Sequence, residues 1–519
     1  MRGSRLRGRV DLGKGRRDPL QQCLARLRQR DAARRPPQHR RSKCVLNLAN
    51  RLAHGRSRDA ELIGRSTEAT GAGNDGQCSE GVGAGLAAAL SGLGVAACAT
   101  RLPRTLAAGP AGYGALTPDP AGFLDLPAGF RYRDVSRFGD AMSDGFSVPD
   151  RADGMGCIAL KGGRHALVRN HELSPQHVDM DAYHGRPDRG AAFDRLPDHR
   201  ALPGGTTTIV IDDATGHVVS QHLSLVGTIR NCAGGVTPWG SWLTCEEDVT
   251  RAGNGVAQDH GWVFEVPASA GGLVDPQPIR AMGRFMHEAA AVDPRTGIVY
   301  LTEDRDDSLL YRYLPDRPGR LDAGGRLQAL ALIDTSRRDS RNWTEAAIAT
   351  GEWLATRWID LDGTDSPDDD LRHRGHLKGA LVFARGEGIH WGDGELFFCC
   401  TSGGAAKLGQ VMRFRANADG GKLQLFVESK AKAMLDFGDN LTVAPTGHLV
   451  VCEDQYTEVV ANRLIGVTPA GMTYVIGALH AQTELAGACF APDGRTLYVN
   501  AYSPARTLAI TGPWHLVQS

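Results

Sequence analysis

Short apolar strands alternate with turns rich in glycine, proline and aspartate from about residue 115 to the end of the chain. In six places a glycine-centred turn leads into an apolar strand, and most of these strands run into a carboxylate or an amide. The six turn glycines are Gly163, Gly240, Gly297, Gly394, Gly447 and Gly494. Apolar strands on both sides of a glycine turn are typical of a β-hairpin, so the pattern predicts six hairpins.

Residues of metal-ligand type stand at the open ends of these hairpins. The strand after each turn ends near Arg169, Glu246, Glu303, Cys400, Glu453 and Asn500. The strand before each turn begins near Asp153, Cys232, Glu288, Glu387, Asp439 with Asn440, and Glu484. Antiparallel partners have a constant index sum, so the two ends of a hairpin lie side by side. We therefore expect Cys232 beside Glu246, and Glu288 beside Glu303.

The arrangement of the strands predicts the fold class. Most of the hairpins are followed by one or two further strands, and a unit of roughly four strands that recurs six times is typical of a β-propeller. The spacing of the turn glycines is uneven, which indicates insertions. The clearest insertion predicts one helix near Trp343–Trp353 and a second that opens at Ser366. The expected fold is all-β: a six-bladed, propeller-like domain with insertions that contain short helices.

Propeller geometry predicts where the candidate ligands meet. The first strand of each blade begins on the face where the second strand ends. The candidate ligands of different blades are therefore expected to converge at the mouth of one central channel.

The chain is expected to have three parts. Residues 1–80 are predicted to be a disordered basic leader, because they hold arginine-rich runs without strand or helix periodicity. A start codon assigned too far upstream would explain the same composition. Residues 81–100 contain an apolar run of signal-peptide length, too short to span a bilayer. Residues 101–519 form the expected propeller domain.

The apolar run predicts export to the periplasm or the cell surface, without a transmembrane anchor. It ends in a small-residue pattern at Cys98 that is typical of a lipoprotein cleavage site, so Cys98 is a candidate for a lipid anchor. The alternative is a flexible linker of alanine and glycine. No arginine pair directly precedes the run, so the type of export signal stays open.

Composition excludes several classes of partner. The 59 basic and 59 acidic residues cancel, and aromatic residues make up 6% of the chain, which does not favour nucleic-acid binding. The 11 cysteines include no CxxC pair of the kind that binds structural zinc. We expect a monomer that acts on a small molecule.

The predicted convergence of carboxylates requires cations, because like charges at contact distance force protonation. Carboxylate and amide oxygens suit Ca²⁺, which takes six to eight oxygen ligands. The thiol of Cys232 lies in a small-residue stretch and is out of place for Ca²⁺ alone, so it indicates a transition metal as well.

Basic residues near the same ends favour a phosphate ester as substrate. Arg385 stands two residues before Glu387, in a turn that contains glycines. Arg230 stands two residues before Cys232. A guanidinium can bind two phosphate oxygens at once, which makes Arg385 a catalytic and substrate-binding candidate and Arg230 a substrate-binding candidate. His287 precedes Glu288 and is a catalytic candidate, although a partner of the carboxylates would have the same spacing.

With these residues in place, the chain resembles the PhoX-type alkaline phosphatases of bacteria. The resemblance covers about residues 112–515. Its most specific block is GTIRNCAGGVTPWGSWLTCEE at 227–247. Shorter matches are VRNHE at 168–172, GGTT at 204–207, MHEA at 286–289, RGEG at 385–388, DN at 439–440 and APDGRTLYVN at 491–500.

This resemblance implies a propeller-like, exported phosphatase whose site holds Ca²⁺ together with Fe³⁺. It implies that Cys232 binds the iron, that Glu288 and Glu387 are ligands of the cluster, and that Arg385 holds the substrate phosphate. The calcium ligands would come from Glu246 or Glu247, Glu484, Asn170 and Glu172, with Asp439 and Asn440 as further metal ligands. Neighbours on a strand face opposite sides, so Glu246 and Glu247 remain alternatives.

Two other functions fit the same pattern. A calcium-dependent lactonase or organophosphate esterase could use the same architecture, and would turn over lactones. A non-enzymatic surface propeller stabilised by calcium would contain no iron, and it would tolerate loss of the Cys232 thiol.

Overall fold

The computed structural model describes residues 111–184, 190–417, 420–455, 457 and 459–518. The expected leader at 1–80, the signal-like segment at 81–100 and the candidate lipid-anchor residue Cys98 lie outside these residues. Antiparallel strands dominate the described part of the chain. Among its helices, none has the length and apolar character that would be needed to cross a membrane.

The described residues form 26 strands. The first seven are β1 (Leu116–Thr117), β2 (Leu124–Pro127), β3 (Arg131–Arg137), β4 (Ala152–Leu160), β5 (Arg164–His171), β6 (Gly204–Asp212) and β7 (Val218–Thr228). The next eight are β8 (Asn231–Val236), β9 (Ser241–Glu246), β10 (Val263–Pro267), β11 (His287–Val292), β12 (Val299–Glu303), β13 (Tyr311–Pro315), β14 (Gly325–Leu332) and β15 (Trp353–Leu361).

The remaining strands follow the insertion. They are β16 (Gly386–Gly392), β17 (Glu395–Cys400), β18 (Gln410–Arg415), β19 (Gly421–Glu428), β20 (Gly438–Val443), β21 (Leu449–Glu453), β22 (Arg463–Val467), β23 (Thr473–Leu479), β24 (Leu485–Phe490), β25 (Thr496–Ala501) and β26 (Arg506–Thr511). All six predicted hairpins are present, as β4–β5, β8–β9, β11–β12, β16–β17, β20–β21 and β24–β25.

Each hairpin begins a unit of antiparallel strands. The units are β4–β7 (unit one), β8–β10 (unit two), β11–β15 (unit three), β16–β19 (unit four), β20–β23 with β2 and β1 (unit five), and β24–β26 with β3 (unit six). The first strands of the six hairpins contact one another in a closed ring, since β24 also packs against β4. This confirms the all-β, propeller-like arrangement.

The six blades expected from the sequence do not form six separate sheets. The strands form five hydrogen-bonded sheets, because β15 pairs with both β14 and β19 and so joins units three and four into one sheet of nine strands. Unit six is closed by an early strand, because β3 pairs with β26 from Arg131 opposite Thr511 to Arg137 opposite Arg506.

The insertion contains one of the two predicted helices. The α-helix α1 (Leu371–Leu377) follows the acidic residues 368–370, as expected. The helix expected near Trp343–Trp353 is absent, and Trp353 instead begins β15. The Asn342 side chain bonds both the N–H and the carbonyl of Ile348, so it closes this segment as a turn and competes with helical bonding. Short 3₁₀ helices occur at Pro175–Met180, Arg280–Met282, Leu321–Ala323 and Trp514–Leu516.

Glycines let the first strands of neighbouring units approach closely. A Cβ atom on Gly235 of β8 would lie 2.1 Å from the backbone oxygen of Ala290 on β11. The backbone oxygen belongs to a strand in the ring and cannot swing away as the end of a side chain could. Packing around the channel therefore depends on the missing side chain at this position.

We expect Gly235→Ala to lower the free energy of unfolding by about 1–3 kcal/mol, the usual cost of overpacking a close contact. Urea unfolding followed by intrinsic fluorescence measures the change. Gly271→Ala is the matched control, because its Cβ would meet no atom within 4 Å. Equal stability of the two variants would contradict the close-packing explanation.

Candidate metal and phosphate site

One hydrogen bond recurs in all six units and defines the geometry of the site. The residue after the second strand of each hairpin donates its backbone N–H to the carbonyl of a residue just before the first strand. The donor and acceptor pairs are Glu172 to Arg151, Glu247 to Arg230, Asp304 to Met286, Thr401 to Arg385, Asp454 to Phe437, and Tyr502 to Glu484. We call the acceptor the first position and the donor the third position.

A β-bulge supplies the second position, two residues after the first. The register of five hairpins shifts directly after the opening pair, for example between Asn231 and Gly234, and that of β24–β25 shifts after the second pair. Such a shift bends the strand and re-aims a side chain. In five units the second position is an acid or a cysteine: Asp153, Cys232, Glu288, Glu387 and Asp439.

Side chains of neighbouring units hold several of these bulges. The amide of Asn170 donates to the carbonyl of Cys232 at 3.1 Å, and that of Asn500 donates to the carbonyl of Asp153 at 2.6 Å. The hydroxyl of Thr302 donates to the carbonyl of Glu387 at 2.6 Å. Each of these three bulges is therefore fixed by the unit that precedes it in the ring.

The three positions bring most of the predicted ligands together. Three groups lie close enough for each to hold one cation, with ligand atoms within 4.8 Å of one another. These groups are Glu172, Cys232 and Glu247; Glu288, Glu387 and Asp439; and Asp439, Asp454 and Glu484. The Cys232 Sγ lies 3.1 Å from Glu288 Oε1 and 3.5 Å from Asp153 Oδ2, so the thiol joins the first two groups.

The acids of the site are buried, and their charged forms are disfavoured. Burial, followed by the neighbouring carboxylates, raises the pKa of Asp153, Glu288 and Glu484 well above the usual range. Burial and the same carboxylates raise the pKa of the Cys232 thiol. Glu288 Oε2 is buried without a hydrogen-bond partner. A buried acceptor of this kind is stabilised by a cation, so the donor set fits metal ions with oxygen and sulfur ligands.

Glu247, and not Glu246, reaches the cluster. Glu246 ends β9 and turns away from the channel, where its carboxylate accepts hydrogen bonds from the N–H groups of Ile229 and Gly261 and pairs with His260 at 2.6 Å. Burial alone lowers the pKa of His260, but Glu246 and Asp194 outweigh this effect and raise it to about 10. Glu246 therefore links the unit to an outer loop.

The two predicted amide ligands, Asn170 and Asn440, have different surroundings. Both ends of the Asn170 amide are used within the protein, since Oδ1 accepts hydrogen bonds from Trp242 and Thr244. Asn440 follows Asp439 on the strand and lines a cavity of about 390 Å³ between the first strands. Asn170 therefore supports the bulge at Cys232 instead of offering a free oxygen to a cation.

The His287 ring faces away from the carboxylates. Its Nε2 atom donates to the carbonyl of Gly283 at 2.9 Å, and the ring packs against Phe285 with centroids 3.6 Å apart. Burial lowers the pKa of His287 to about 3, so the ring is neutral. This placement gives no support to His287 as an acid or base at the site.

Two of the arginines predicted for the site are held by carboxylates. Arg385 donates from Nε to Asp304 at 2.6 Å and from Nη2 to Glu387 at 2.5 Å. Arg230 bridges Glu172 and Glu247. Both arginines occupy a first position in the left-handed backbone conformation, with φ of 55° and 49°. Each guanidinium pairs with one carboxylate of its own unit and one of the preceding unit.

Asp304, Asp454, Tyr502 and Arg151 also occupy first or third positions but do not stand out in the sequence. A count of strand residues stops one residue early at Glu303 and Glu453, and two residues early at Asn500. The side chains of Glu303 and Glu453 bond Tyr311 and Arg463 within their own units. In the sequence, the third positions can be found only by also considering the residue that follows each strand end, as in the pairs Glu246-Glu247 and Glu453-Asp454.

Comparison with known proteins identifies the family of the chain. The family model described as alkaline phosphatase PhoX matches residues 111–505. No curated protein sequence matches the chain. Among solved structures, Pseudomonas fluorescens PhoX in complex with vanadate, a transition state analogue, is similar with a TM-score of 0.57 and 18% identity, over 78% of this chain and 97% of that chain. The gluconolactonase XC5397 from Xanthomonas campestris has a TM-score of 0.36 and 13% identity, over 78% and 99%.

The Glu246–His260 pair predicts a loss of stability at alkaline pH. The pKa of His260 is raised in the folded protein from 6.5 to about 10, so its contribution is complete below pH 6.5 and disappears as the pH rises through 10. We expect the free energy of unfolding to fall by at most about 4 kcal/mol across this window. Urea unfolding at several pH values measures the slope.

His260→Gln provides the control for this slope. The variant cannot take up the extra proton, so we expect lower stability near neutral pH and a flatter dependence up to pH 10. His373→Gln tests the background, since His373 lies at the surface and pairs with Asp307 alone. An unchanged slope in His260→Gln would contradict the assignment.

Proposed function

The chain belongs to the PhoX family of alkaline phosphatases and is a metal-dependent phosphatase, and we propose that it hydrolyses phosphate monoesters at the ring of first, second and third positions. The observation that carries this assignment of the site is the convergence of Cys232 with buried carboxylates from all six units. No other group of described residues combines a thiol with so many carboxylates in this way.

We propose Ca²⁺ and Fe³⁺ as the cations of this site. The thiolate of Cys232 suits iron, and it lies with Glu172 and Glu247 on one side and Glu288 on the other. The group of Asp439, Asp454 and Glu484 contains only oxygen donors and suits Ca²⁺. When bound, such cations offset the negative charge of a phosphate ester and of its transition state.

Arg385 is the residue that we assign to the substrate phosphate. Its guanidinium lies beside Glu387 and is held on the other edge by Asp304, so its orientation is set before the substrate arrives. With Glu387 as a cation ligand, the Nη2 group that donates to Glu387 in this structure would donate to a phosphate oxygen instead. Preorganised donors of this kind stabilise charge that develops in the transition state.

Arg230 has a different proposed role from Arg385. It bridges Glu172 and Glu247 with a single Nη2 atom, so it fixes two ligands of the Cys232 group. Contact between Arg230 and the substrate stays a proposal. The pairing of Arg230 with both Glu172 and Glu247 favours a role in positioning these carboxylates.

Two further features belong to the proposal. We propose that the ring has six blades, of which the nine-stranded sheet supplies two, because the ring contains six first strands.

We also propose export to the periplasm or the cell surface, from the apolar run that ends near Cys98 and from membership in the family.

The metal assignment predicts iron and calcium in protein purified without a chelator. Cys232→Ser should lose iron while calcium is largely retained, since the hydroxyl is a weaker ligand for iron than the thiolate. Elemental analysis of both proteins, together with hydrolysis of p-nitrophenyl phosphate, measures the effect. Cys245→Ser is the matched control, because Cys245 is buried on the adjacent strand outside the three groups.

Removal of the metals should lower phosphatase activity at least about 100-fold, since several kcal/mol of transition-state stabilisation are lost. Calcium without iron in the wild-type protein would refute the iron assignment. Turnover of a lactone without hydrolysis of p-nitrophenyl phosphate would refute the assignment of substrate.

Arg385→Lys should lower kcat/KM for p-nitrophenyl phosphate about 100-fold, because a single ammonium replaces a guanidinium that can donate two parallel hydrogen bonds. Steady-state kinetics on the metal-loaded protein measures the loss. Arg413→Lys is the control, since Arg413 pairs with Glu395 in the outer strands of unit four. Metal content should be unchanged in both variants, and full activity of Arg385→Lys would contradict the assignment.

A further inference from the structure

Tyr502 occupies the third position of unit six, where four other units carry an acid. The hydrogen bond that defines this position runs from Tyr502 N to Glu484 O at 3.1 Å. The acids in the corresponding place are Glu172, Glu247, Asp304 and Asp454. Tyr502 is only 4% exposed, so its phenol points into the protein at the same level of the ring as these acids.

The Tyr502 hydroxyl reaches from unit six to the carboxylate of Glu172 in unit one, where it donates to Oε2. The other oxygen of this carboxylate, Oε1, pairs with Arg230 at 2.6 Å. Both oxygens of Glu172 are therefore held by neighbouring side chains. A carboxylate that is fixed at both ends presents one defined orientation to the Cys232 group.

Arg151 determines the direction of the Tyr502 hydrogen bond. Its Nη1 atom lies 2.7 Å from the Tyr502 oxygen, and a guanidinium can only donate. The phenol oxygen must therefore accept from Arg151, and its own proton is directed to Glu172. Arg151 is 3% exposed and occupies the first position of unit one, with φ of 55°, as Arg230 and Arg385 do in their units.

Arg151 differs from these two arginines in its partners. Arg230 and Arg385 each pair with two carboxylates. Within the part of the chain that the structure describes, the polar side-chain partner of Arg151 is the Tyr502 phenol, and its buried Nε atom has no partner. The hydrogen bonds of the arginine thus reach Glu172 through the tyrosine.

We propose that Tyr502 is a positioning residue for the metal ligand Glu172, and that Arg151 positions Tyr502. The proposal rests on the metal centre proposed above and adds a hydrogen-bond chain from Arg151 through Tyr502 to Glu172. These hydrogen bonds link the last unit of the ring to the first. Closure of the ring and orientation of the Glu172 carboxylate therefore depend on the same contact. Loss of such an outer partner typically weakens metal binding about 10–100-fold.

The test measures metal retention directly. Full-length protein purified without a chelator is exposed to increasing EDTA, and bound calcium and iron are measured by elemental analysis. For Tyr502→Phe we expect the EDTA concentration that removes half of at least one of the two metals to fall about 10–100-fold. Tyr498→Phe is the matched control, because Tyr498 is a buried tyrosine on β25, the strand that ends just before Tyr502, and its hydroxyl bonds His165.

A second pair of variants tests the order of the hydrogen bonds from Arg151 through Tyr502 to Glu172. Arg151→Met should shift the same EDTA midpoint in the same direction, because the Tyr502 proton is no longer directed to Glu172. The double variant Arg151→Met/Tyr502→Phe should resemble Tyr502→Phe alone, since Arg151 acts through the tyrosine. If Tyr502→Phe does not fold, Arg151→Met decides the question: a lowered midpoint supports the chain and an unchanged midpoint overturns it.

The outcomes separate this inference from the proposed function. A wild-type protein without bound metal would refute the metal centre itself. A wild-type protein with metal and a Tyr502→Phe variant with the same midpoints would overturn only the positioning role. Equal losses in Tyr498→Phe and Tyr502→Phe would also overturn it, because they would reflect general destabilisation.

Discussion

The structure depends above all on the repulsion among acidic groups that are buried at one end of the ring. Carboxylates from every unit and the thiol of Cys232 share this region, and Arg230 and Arg385 offset only part of the charge. Such a group of buried acids is stable only when it binds protons or cations. Because the ligands come from units that are far apart in the chain, metal binding and closure of the ring stabilise each other.

A repeated backbone arrangement makes this concentration of charge possible. An ordinary strand sends alternate side chains to opposite faces, which would scatter the acids between the sheets and the channel. The bulge after the first or second pair of each hairpin changes the direction of the second position, and the N–H of the third position closes the hairpin end. Side chains such as Asn170 and Asn500 then hold the bulge of the next unit. A single unit therefore cannot form the site.

The hairpins, the turns and most of the acidic residues that meet at the ring were predictable from the sequence. Cys232, Glu288, Glu387 and Glu484 stand at strand starts in the sequence and converge in the structure. The register at the strand ends was not predictable, since a bulge shifts the pairing by one residue without a clear mark in the sequence. The shift explains why Glu247 and Asp454 reach the cluster, whereas Glu246 and Glu453 serve as internal hydrogen-bond acceptors.

The sequence by itself determined the all-β class, the hairpin boundaries and the chemical types that gather at the hairpin ends, because these follow from local periodicity and turn residues. Tertiary structure alone decided the joining of units three and four into one sheet, the orientation of His287 and Asn170 away from the acids, and the link from Arg151 through Tyr502 to Glu172. Except at His287, these features depend on contacts between residues that lie from 63 to 351 positions apart, for which local pattern carries no information.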